Sequence, residues 1–463
     1  MIRLTISIKT TISFLNLQFN FRLSLKTDLA LLTLLIAISS ALAYGNDQYY
    51  FDRTTNNRLS QQSQAGKNLI TVYEAKNVEF GFPSESERRA ALASGRYDPD
   101  SPIPIDTDVY YPADGGPETV FMTIPRFGGG VPYSLAVLTN VQRPNGTQIQ
   151  PYPNYNWHSS HGADCDGLTS VYRVAIDSCN QMWILDSGEI EFKQHCSPQI
   201  VVIDLPTSQL IHRYRLPAGT FKPNISRFVT PIIDVADPAP GGKCVQTFVY
   251  MADPTGAGIV VYDVANSKSW RIENKYTYPD PDFGTHTIAG ESFQLLDGTL
   301  SLTLTPPCLG LRRMLYFHSL SNDLQVAIPL DVVNNASVWG HGISSGLDQF
   351  IPLGKRGVQC GIATMTAEGV LLCGFLNPIA IFGWDIRTDY TEQNRKLLIE
   401  DPTTLQFVSG MKVKKNRDCH DEVWIVSNRL QKSFTGTTNF NELNYRIQRI
   451  GVDELLRGSW VRY

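Results

Sequence analysis

The sequence predicts an all-β chain: a six-bladed β-propeller that follows a signal peptide and a disordered N-terminal arm. Three observations carry this prediction. A short apolar run occurs six times, a turn precedes each copy, and a second strand-like run follows each copy. The runs are Val120–Pro125 (VFMTIP), Met182–Ser187 (MWILDS), Phe248–Asp253 (FVYMAD), Met314–Ser319 (MLYFHS), Val370–Phe375 (VLLCGF) and Val423–Asn428 (VWIVSN). Their starts lie 62, 66, 66, 56 and 53 residues apart. A recurring period of this kind marks a repeat architecture. About six apolar or β-branched residues make a strand and are too few for a helix.

Each element follows from its local sequence. The turns ahead of the runs are Gly115-Gly116-Pro117, Asn180-Gln181, Gly241-Gly242-Lys243, Gly310-Leu311-Arg312, Glu368-Gly369 and His420-Asp421. The runs behind are Ser134–Leu138, Ile200–Leu205, Ile259–Val264, Leu324–Leu330, Ile379–Ile386 and Arg446–Val452. Further strands are expected at Ser170–Asp177, Leu210–Leu216 and Cys360–Met365. Three to four antiparallel strands per period, repeated six times, describe a propeller. The period exceeds the roughly 40–45 residues of a minimal blade, so long loops are expected. The rival architecture, a large β-sandwich, does not usually repeat at this length.

The N-terminus reads as a secretion signal. Arg3, Lys9, Arg22 and Lys26 make a positive leader, the apolar core runs from Leu29 to Ala43, and Ala41-Leu42-Ala43 supplies the small-x-small cleavage pattern. The apolar stretch falls short of the roughly 20 residues that span a bilayer, which disfavours a membrane anchor. The expected organisation is a signal peptide over 1–43, a disordered arm over 44–77, the propeller over 78–455 and a tail over 456–463. The arm begins Asn/Gln/Ser/Tyr-rich and without periodicity. Its Tyr49-Tyr50-Phe51 cluster is a solvated stretch or a docking and cross-linking point. Removing residues 1–43 takes away four bases and one acid and moves the net charge from −4 to −7. That balance argues against nucleic acid and anionic membranes as partners.

Eight cysteines, an even number, fit an oxidising compartment, and no CxxC pair points to zinc or redox chemistry. Cys360 and Cys373 flank the expected hairpin turn Thr366–Gly369, so they fall within bridging reach across two strands. The pairing of the others stays open. The sequons at Asn145, Asn224 and Asn335 predict glycans on surface loops.

Four segments resemble one family in order and spacing. They are Cys165–Gly188 (CDGLTSVYRVAIDSCNQMWILDSG), Ile259–Asn274 (IVVYDVANSKSWRIEN), Met314–Ser321 (MLYFHSLS) and Val423–Ile447 (VWIVSNRLQKSFTGTTNFNELNYRI). They resemble the yellow / major royal jelly protein family of insects over about Val78–Val452. The resemblance implies a secreted six-bladed propeller. Members act in cuticle pigmentation and melanin formation, convert dopachrome-like compounds, bind biogenic amines in the central channel, or serve as food and eggshell-associated proteins. It also implies site residues: a hydroxyl at Ser409 and an asparagine at Asn428. Leu430 stands where the amine-binding branch has an aromatic, which would remove ring stacking. Cys308, Cys360, Cys373 and Cys419 are not generally shared by the family, and Gly383 replaces a cysteine that many relatives carry beside Trp384.

The residues themselves carry no catalytic signature: no GxSxG, HExxH, P-loop or dinucleotide fingerprint occurs. Gly128-Gly129-Gly130 reads as a loop between strands, or as an anion cradle. His158, His161 and Asp164 have metal-ligand chemistry, but an irregular loop does not bring such a spacing to one face, so no metal is expected. In a propeller, polar residues at inner-strand ends line the channel mouth. The repeat runs end near Arg126, Asp186, Asp253, His318, Asn377 and Asn428. Asp186 and Asp253 are the expected partners of a ligand ammonium, or else caps of turns within their blades. Dopachrome conversion requires proton removal and return beside a carbonyl, and His318 is the candidate for that role. The expected function is pigmentation or hardening of cuticle or eggshell. It would act by binding catecholamine-derived or biogenic-amine ligands, by isomerising dopachrome, or as a structural extracellular protein without such chemistry. No cofactor is called for. The expected partners are a small amine or catechol and the extracellular matrix.

Overall fold

The computed structural model describes residues 67–339 and 346–460. The expected signal peptide and residues 44–66 of the expected arm, Tyr49–Phe51 included, lie outside the described residues. Residues 63–463 form one compact unit.

Strand is the predominant regular structure of the described chain, arranged as an all-β, propeller-like architecture. Four discrete four-stranded antiparallel sheets follow one another along the chain. The first contains Val171–Ile176, Gln181–Asp186, Gln199–Asp204 and Gln209–Arg215. The second contains Pro231–Val235, Thr247–Asp253, Gly258–Asp263 and Lys268–Ile272. The third contains Thr299–Leu304, Met314–Ser319, Leu324–Pro329 and Ile351–Lys355. The fourth contains Cys360–Met365, Val370–Phe375, Ala380–Asp385 and Arg395–Glu400.

A nine-stranded sheet joins early and late chain. One half runs Phe407–Lys415, Asp421–Asn428, Tyr445–Gly451, Ile70–Ala75; the other runs Asp106–Tyr110, Thr119–Thr123, Leu135–Arg143, Gly146–Pro151, and the ninth strand, Glu79–Phe80, pairs in parallel with Gly146–Pro151. Between Ile70–Ala75 and Gly146–Pro151 the register has a single pair, Ala75 with Gly146. The first strands of successive units pack side by side. Asp106–Tyr110 touches Val171–Ile176, and contact passes through Pro231–Val235, Thr299–Leu304, Cys360–Met365 and Phe407–Lys415 back to Asp106–Tyr110.

The six apolar runs all fall on the second strand of their unit. Their composition follows from burial: Gln181–Asp186 and Val370–Phe375 are covered on both faces, so nearly every position is apolar and the two-residue alternation disappears. The outer strand Gln209–Arg215 is largely exposed and correspondingly polar. Cores between sheets close around Tyr250, Tyr262 and Trp424, all fully buried.

Two boundaries differ from the sequence expectation. The arm expected to run to residue 77 contains the strand Ile70–Ala75, which pairs with Tyr445–Gly451; its β-branched ITVYEA stretch buries Tyr73 and Ala75. The expected tail over 456–463 is packed rather than free where it is described. Trp460 lies against the core, and a Cβ on Gly383 would sit 2.7 Å from its ring. The indole occupies the space that a side chain at 383 would need.

Three disulfides staple the loops: Cys165–Cys196, Cys179–Cys244 and Cys360–Cys373. Cys179–Cys244 ties one sheet to the next, and Cys360–Cys373 links adjacent strands next to a register shift. Cys308 and Cys419 are free and exposed. Asn145, Asn224 and Asn335 are all exposed. No helix among the described residues is long and apolar enough to cross a membrane.

The strand at 70–75 supplies a stability test. The Tyr73 hydroxyl is buried without a hydrogen-bond partner. Tyr73→Ala is expected to lower the unfolding free energy by about 3–5 kcal/mol in urea titration. Tyr73→Phe is expected to leave it unchanged or raise it, because an unsatisfied buried hydroxyl is itself unfavourable.

Candidate functional site

The connectors leading into the first strands and the loops leaving the second strands share one face. Asp186 and Asp253 sit there, each closing a second strand, and both are fully buried. Asp186 accepts hydrogen bonds from the backbone N–H groups of Thr169 (2.9 Å), Ser170 (2.7 Å) and Gly188 (3.1 Å) and from Gln199 Nε2 (3.1 Å). Asp253 accepts from Ser226 Oγ (2.5 Å) and the N–H groups of Arg227 (2.9 Å) and Gly256 (2.9 Å), and pairs with Arg271 at 2.8 Å. Their oxygens are spent on clamping the incoming connector to the end of a strand, and no oxygen is left for a ligand ammonium. Gly188 has φ +72°, and a Cβ there would lie 2.0 Å from the Cys196 carbonyl oxygen, so the Asp186 clamp requires glycine.

His318 is also closed to solvent. Its Nε2 lies 3.2 Å from the Cys360 carbonyl oxygen and donates to it. Burial, reinforced by the Arg356 guanidinium, holds its pKa well below the ordinary value, so it is neutral and positioned as a core donor. Cys360 and Cys373 lie beside it, but their sulfurs are bonded to each other and offer no metal ligand.

Ser409, Asn428 and Leu430 are brought together. Asn428 Nδ2 donates to the Pro104 carbonyl (3.0 Å) and to Ser409 Oγ (3.2 Å), and its Oδ1 accepts the Leu430 N–H (2.9 Å). All three are buried, with Leu430 opening the short helix Leu430–Thr435. The cluster caps that helix and binds the preceding connector.

The His158 region is a helical turn, Asn156–Ser159, where an irregular loop was expected. His158 is buried, donates from Nε2 to the Tyr152 carbonyl at 2.9 Å, and has its pKa pushed down to about 3, chiefly by burial and secondly by Arg126. His158, His161 and Asp164 do not converge, as the Asp164 carboxylate accepts the Asp166 N–H. A cavity of about 390 Å³ opens beside this turn, lined by Glu87, Arg96, Tyr155 and His161 among others. It lies against the helix Glu85–Ala93. Glu191 Oε1 accepts the Gly129 N–H at 3.1 Å, so a side chain of the protein itself occupies the glycine loop.

Arg126, at the end of the first run, is fully buried and donates to the carbonyls of Val131, Pro132, His158 and Thr169 at 2.6–3.0 Å. Burial lowers its pKa to about 10, which keeps it charged near neutrality.

The polar group left open lies elsewhere on this face, at residues the sequence did not single out. Arg227 Nε pairs with Glu189 Oε2 at 2.8 Å, and its guanidinium lies 4.7 Å over the Phe192 ring. Phe127 stands perpendicular to Tyr172 at 5.2 Å. Arg227 and Asp297 interact electrostatically, and Tyr172 feels Arg227, Glu189 and Asp297 together. Asp297 is only part-buried, and among the described residues its carboxylate has no hydrogen-bond partner. Its backbone is fixed on both sides: its N–H donates to Ser321 Oγ at 3.1 Å and its carbonyl accepts the Ser321 N–H at 3.0 Å. Desolvation raises its pKa to about 6, against the pull of Arg227 and with a smaller push from Asp253. Its carboxylate is thus part-exposed yet desolvated, and such groups suit proton transfer near neutral pH. The only sequence signal was a Leu-Asp-Gly turn (296–298) directly before the strand Thr299–Leu304.

The family model described as "Major royal jelly protein" matches residues 169–461. The chain belongs to this family. Among its relatives, "Dopaminechrome tautomerase" of Drosophila melanogaster is 31% identical, over 88% of this chain and 86% of that protein. "Major royal jelly protein 9" of Apis mellifera is 32% identical, over 84% and 89%. "Protein yellow" of Drosophila subobscura is 28% identical, over 86% and 68%.

The buried histidine at 158 gives a pH test. Its folded pKa lies below the ordinary 6.5, so in the interval between, the unfolded chain binds the proton and the folded chain does not. Its contribution therefore diminishes as pH falls below about 6.5, by up to about 1.4 kcal/mol per pH unit. Between pH 6.5 and 5, the urea-unfolding free energy of His158→Gln is expected to fall less steeply than that of the wild type, by this amount.

Proposed function

We propose that this protein is a secreted, pigmentation-related member of the yellow group that isomerises catecholamine-derived aminochromes, compounds of the dopaminechrome type. The observation that carries the reading is the open carboxylate of Asp297, whose connector is bonded through the Gly298 N–H to the Pro254 carbonyl at 2.9 Å, next to the Asp253 that holds the Arg227 N–H at 2.9 Å. Arg227 and Tyr172 act electrostatically on Asp297, and Phe192 lies under the Arg227 guanidinium. An aminochrome is a planar, uncharged quinone. It suits nearby aromatic rings, an arginine for its oxygen, and a carboxylate for the proton that must move. The relative whose name is dopaminechrome tautomerase supports the same reaction class.

Binding of biogenic amines without turnover is the second reading, favoured by the convergence of Ser409 and Asn428. It is the weaker one. Both polar groups are already paired, Leu430 offers no ring, and Arg227 repels a cationic amine beside Asp297.

The architecture is read here as six blades around an axis. The nine-stranded sheet then counts as two blades touching at Ala75 and Gly146, and the succession of first-strand contacts returning to Asp106–Tyr110 supports the count. Secretion accords with three disulfides and the leader sequence, and glycans at Asn145, Asn224 and Asn335 accord with their exposure.

Purified protein is expected to accelerate the loss of dopaminechrome absorbance above the spontaneous rate, while calorimetry with dopamine or serotonin shows no saturable heat. Amine binding without acceleration would replace this reading with that of a carrier. Neither response would leave a structural extracellular protein.

A further inference from the structure

We propose that Asp297 is the proton-transfer residue of this site and that Arg227 receives the charge that develops on the quinone oxygen. The inference rests on the isomerase reading above and adds the residues that perform it.

Three features set this pair apart from the other ionisable groups near the strand mouths. First, Asp186 and Asp253 are closed to solvent and saturated with hydrogen bonds, whereas Asp297 reaches solvent and accepts none among the described residues. Second, Asp297 is held by its backbone alone, through the two-way bond with Ser321, so its position is fixed while its carboxylate remains free. Third, Arg227 comes from the preceding connector and is oriented from behind by Glu189, which leaves the other edge of its guanidinium unclaimed. Among the described residues the only hydrogen bonds of its side chain go through Nε to that carboxylate.

The step balances without an oxidant. The Asp297 carboxylate takes a proton from the saturated carbon of the five-membered ring next to the conjugated quinone. The C–H bond breaks and an O–H bond forms on the carboxylate. The released electron pair moves through the conjugated system and turns one quinone carbonyl into the enolate oxygen of a quinone methide, which the Arg227 N–H groups stabilise. The carboxylic acid of Asp297 then returns the proton to that oxygen. A second carbon-to-oxygen proton shift by the same route completes the dihydroxyindole, an isomer of the starting quinone.

The charged and titratable groups around Asp297 are Arg227, Asp253, Tyr172 and Glu189, with His286 bonded to the neighbouring Leu295 carbonyl. Burial lowers the His286 pKa and raises those of Tyr172 and Glu189. Asp297 must be ionised to accept the proton, so kcat is expected to rise with pH through about 6 and then level.

The test uses the full secreted chain and dopaminechrome, with the spontaneous rate subtracted. Asp297→Asn is expected to lower kcat by about 100-fold or more, to change KM by less than about threefold, and to abolish the rise through pH 6. Asp297→Glu is expected to recover part of the rate and the pH dependence, which a purely structural role would not do. Wild-type turnover with Asp297→Asn remaining within threefold would overturn this inference while leaving the isomerase reading intact. A wild type without turnover would remove the isomerase reading and this inference with it. If Asp297→Asn fails to fold, the wild-type pH profile and Asp297→Glu decide: a flat profile, or a folded Asp297→Glu with no rate above the spontaneous one, overturns the proposal.

Discussion

Where several sheets converge on one centre, charges carried by their first strands must neutralise each other out of water. Asp106 and Asp108 lie on one first strand, Lys412 and Lys414 on its neighbour to one side, and Arg173 on its neighbour to the other. Lys412 pairs with Asp106, and Lys414 meets Asp108 at 3.0 Å while also donating to the Ile176 carbonyl at 2.9 Å. Arg173 bonds Thr230 and donates to the Ser409 carbonyl, bridging first strands that do not pair with each other. Both aspartates are almost wholly inside the protein, and desolvation raises the Asp106 pKa even against Lys412 and Arg173. Removing one member of such a set leaves an uncompensated buried charge, which costs about 3–5 kcal/mol. The spacing of the first strands, and with it the arrangement of every connector on the mouth face, depends on this set staying complete.

Around that centre the same residue type does two different things. Asp186 and Asp253 come at the very end of second strands, where the backbone N–H groups of the adjoining connector point inward without partners, so each carboxylate is drawn in to fill them. Asp297 comes from a connector instead, and Ser321 satisfies its backbone. Nothing pulls the Asp297 side chain inward. Position relative to unsatisfied backbone groups, rather than amino-acid identity, separates a structural carboxylate from an available one.

This difference explains what was legible in the sequence. Strands were legible because burial on both faces leaves continuous apolar runs, and all six runs coincide with second strands. The proximity of Cys360 and Cys373 was legible because a hairpin is a local object. Asp186, Asp253 and His318 were picked for ending those runs, yet the ends of second strands are where polar side chains are consumed by the backbone. Glu189, Arg227 and Asp297 belong to three separate connectors, and neither charge pattern nor spacing announces that they meet. The strand Ile70–Ala75 was hidden for a similar reason, since its partner lies more than 370 residues away in the register Ile70–Arg449.

That last pairing has a consequence for the chain's birth. A ribosome makes the segment around Tyr73 about 370 residues before the strand Tyr445–Gly451, yet the two are hydrogen-bonded neighbours in one sheet. The four discrete sheets can each form as soon as their own residues emerge. The sheet that unites these distant segments must wait, with its apolar Val423–Val426 and Tyr73 surfaces uncovered, until Tyr445–Gly451 has emerged. Completion of that seam therefore comes later than formation of the four discrete sheets, and the interval before it is the one in which a chaperone would find the most to hold.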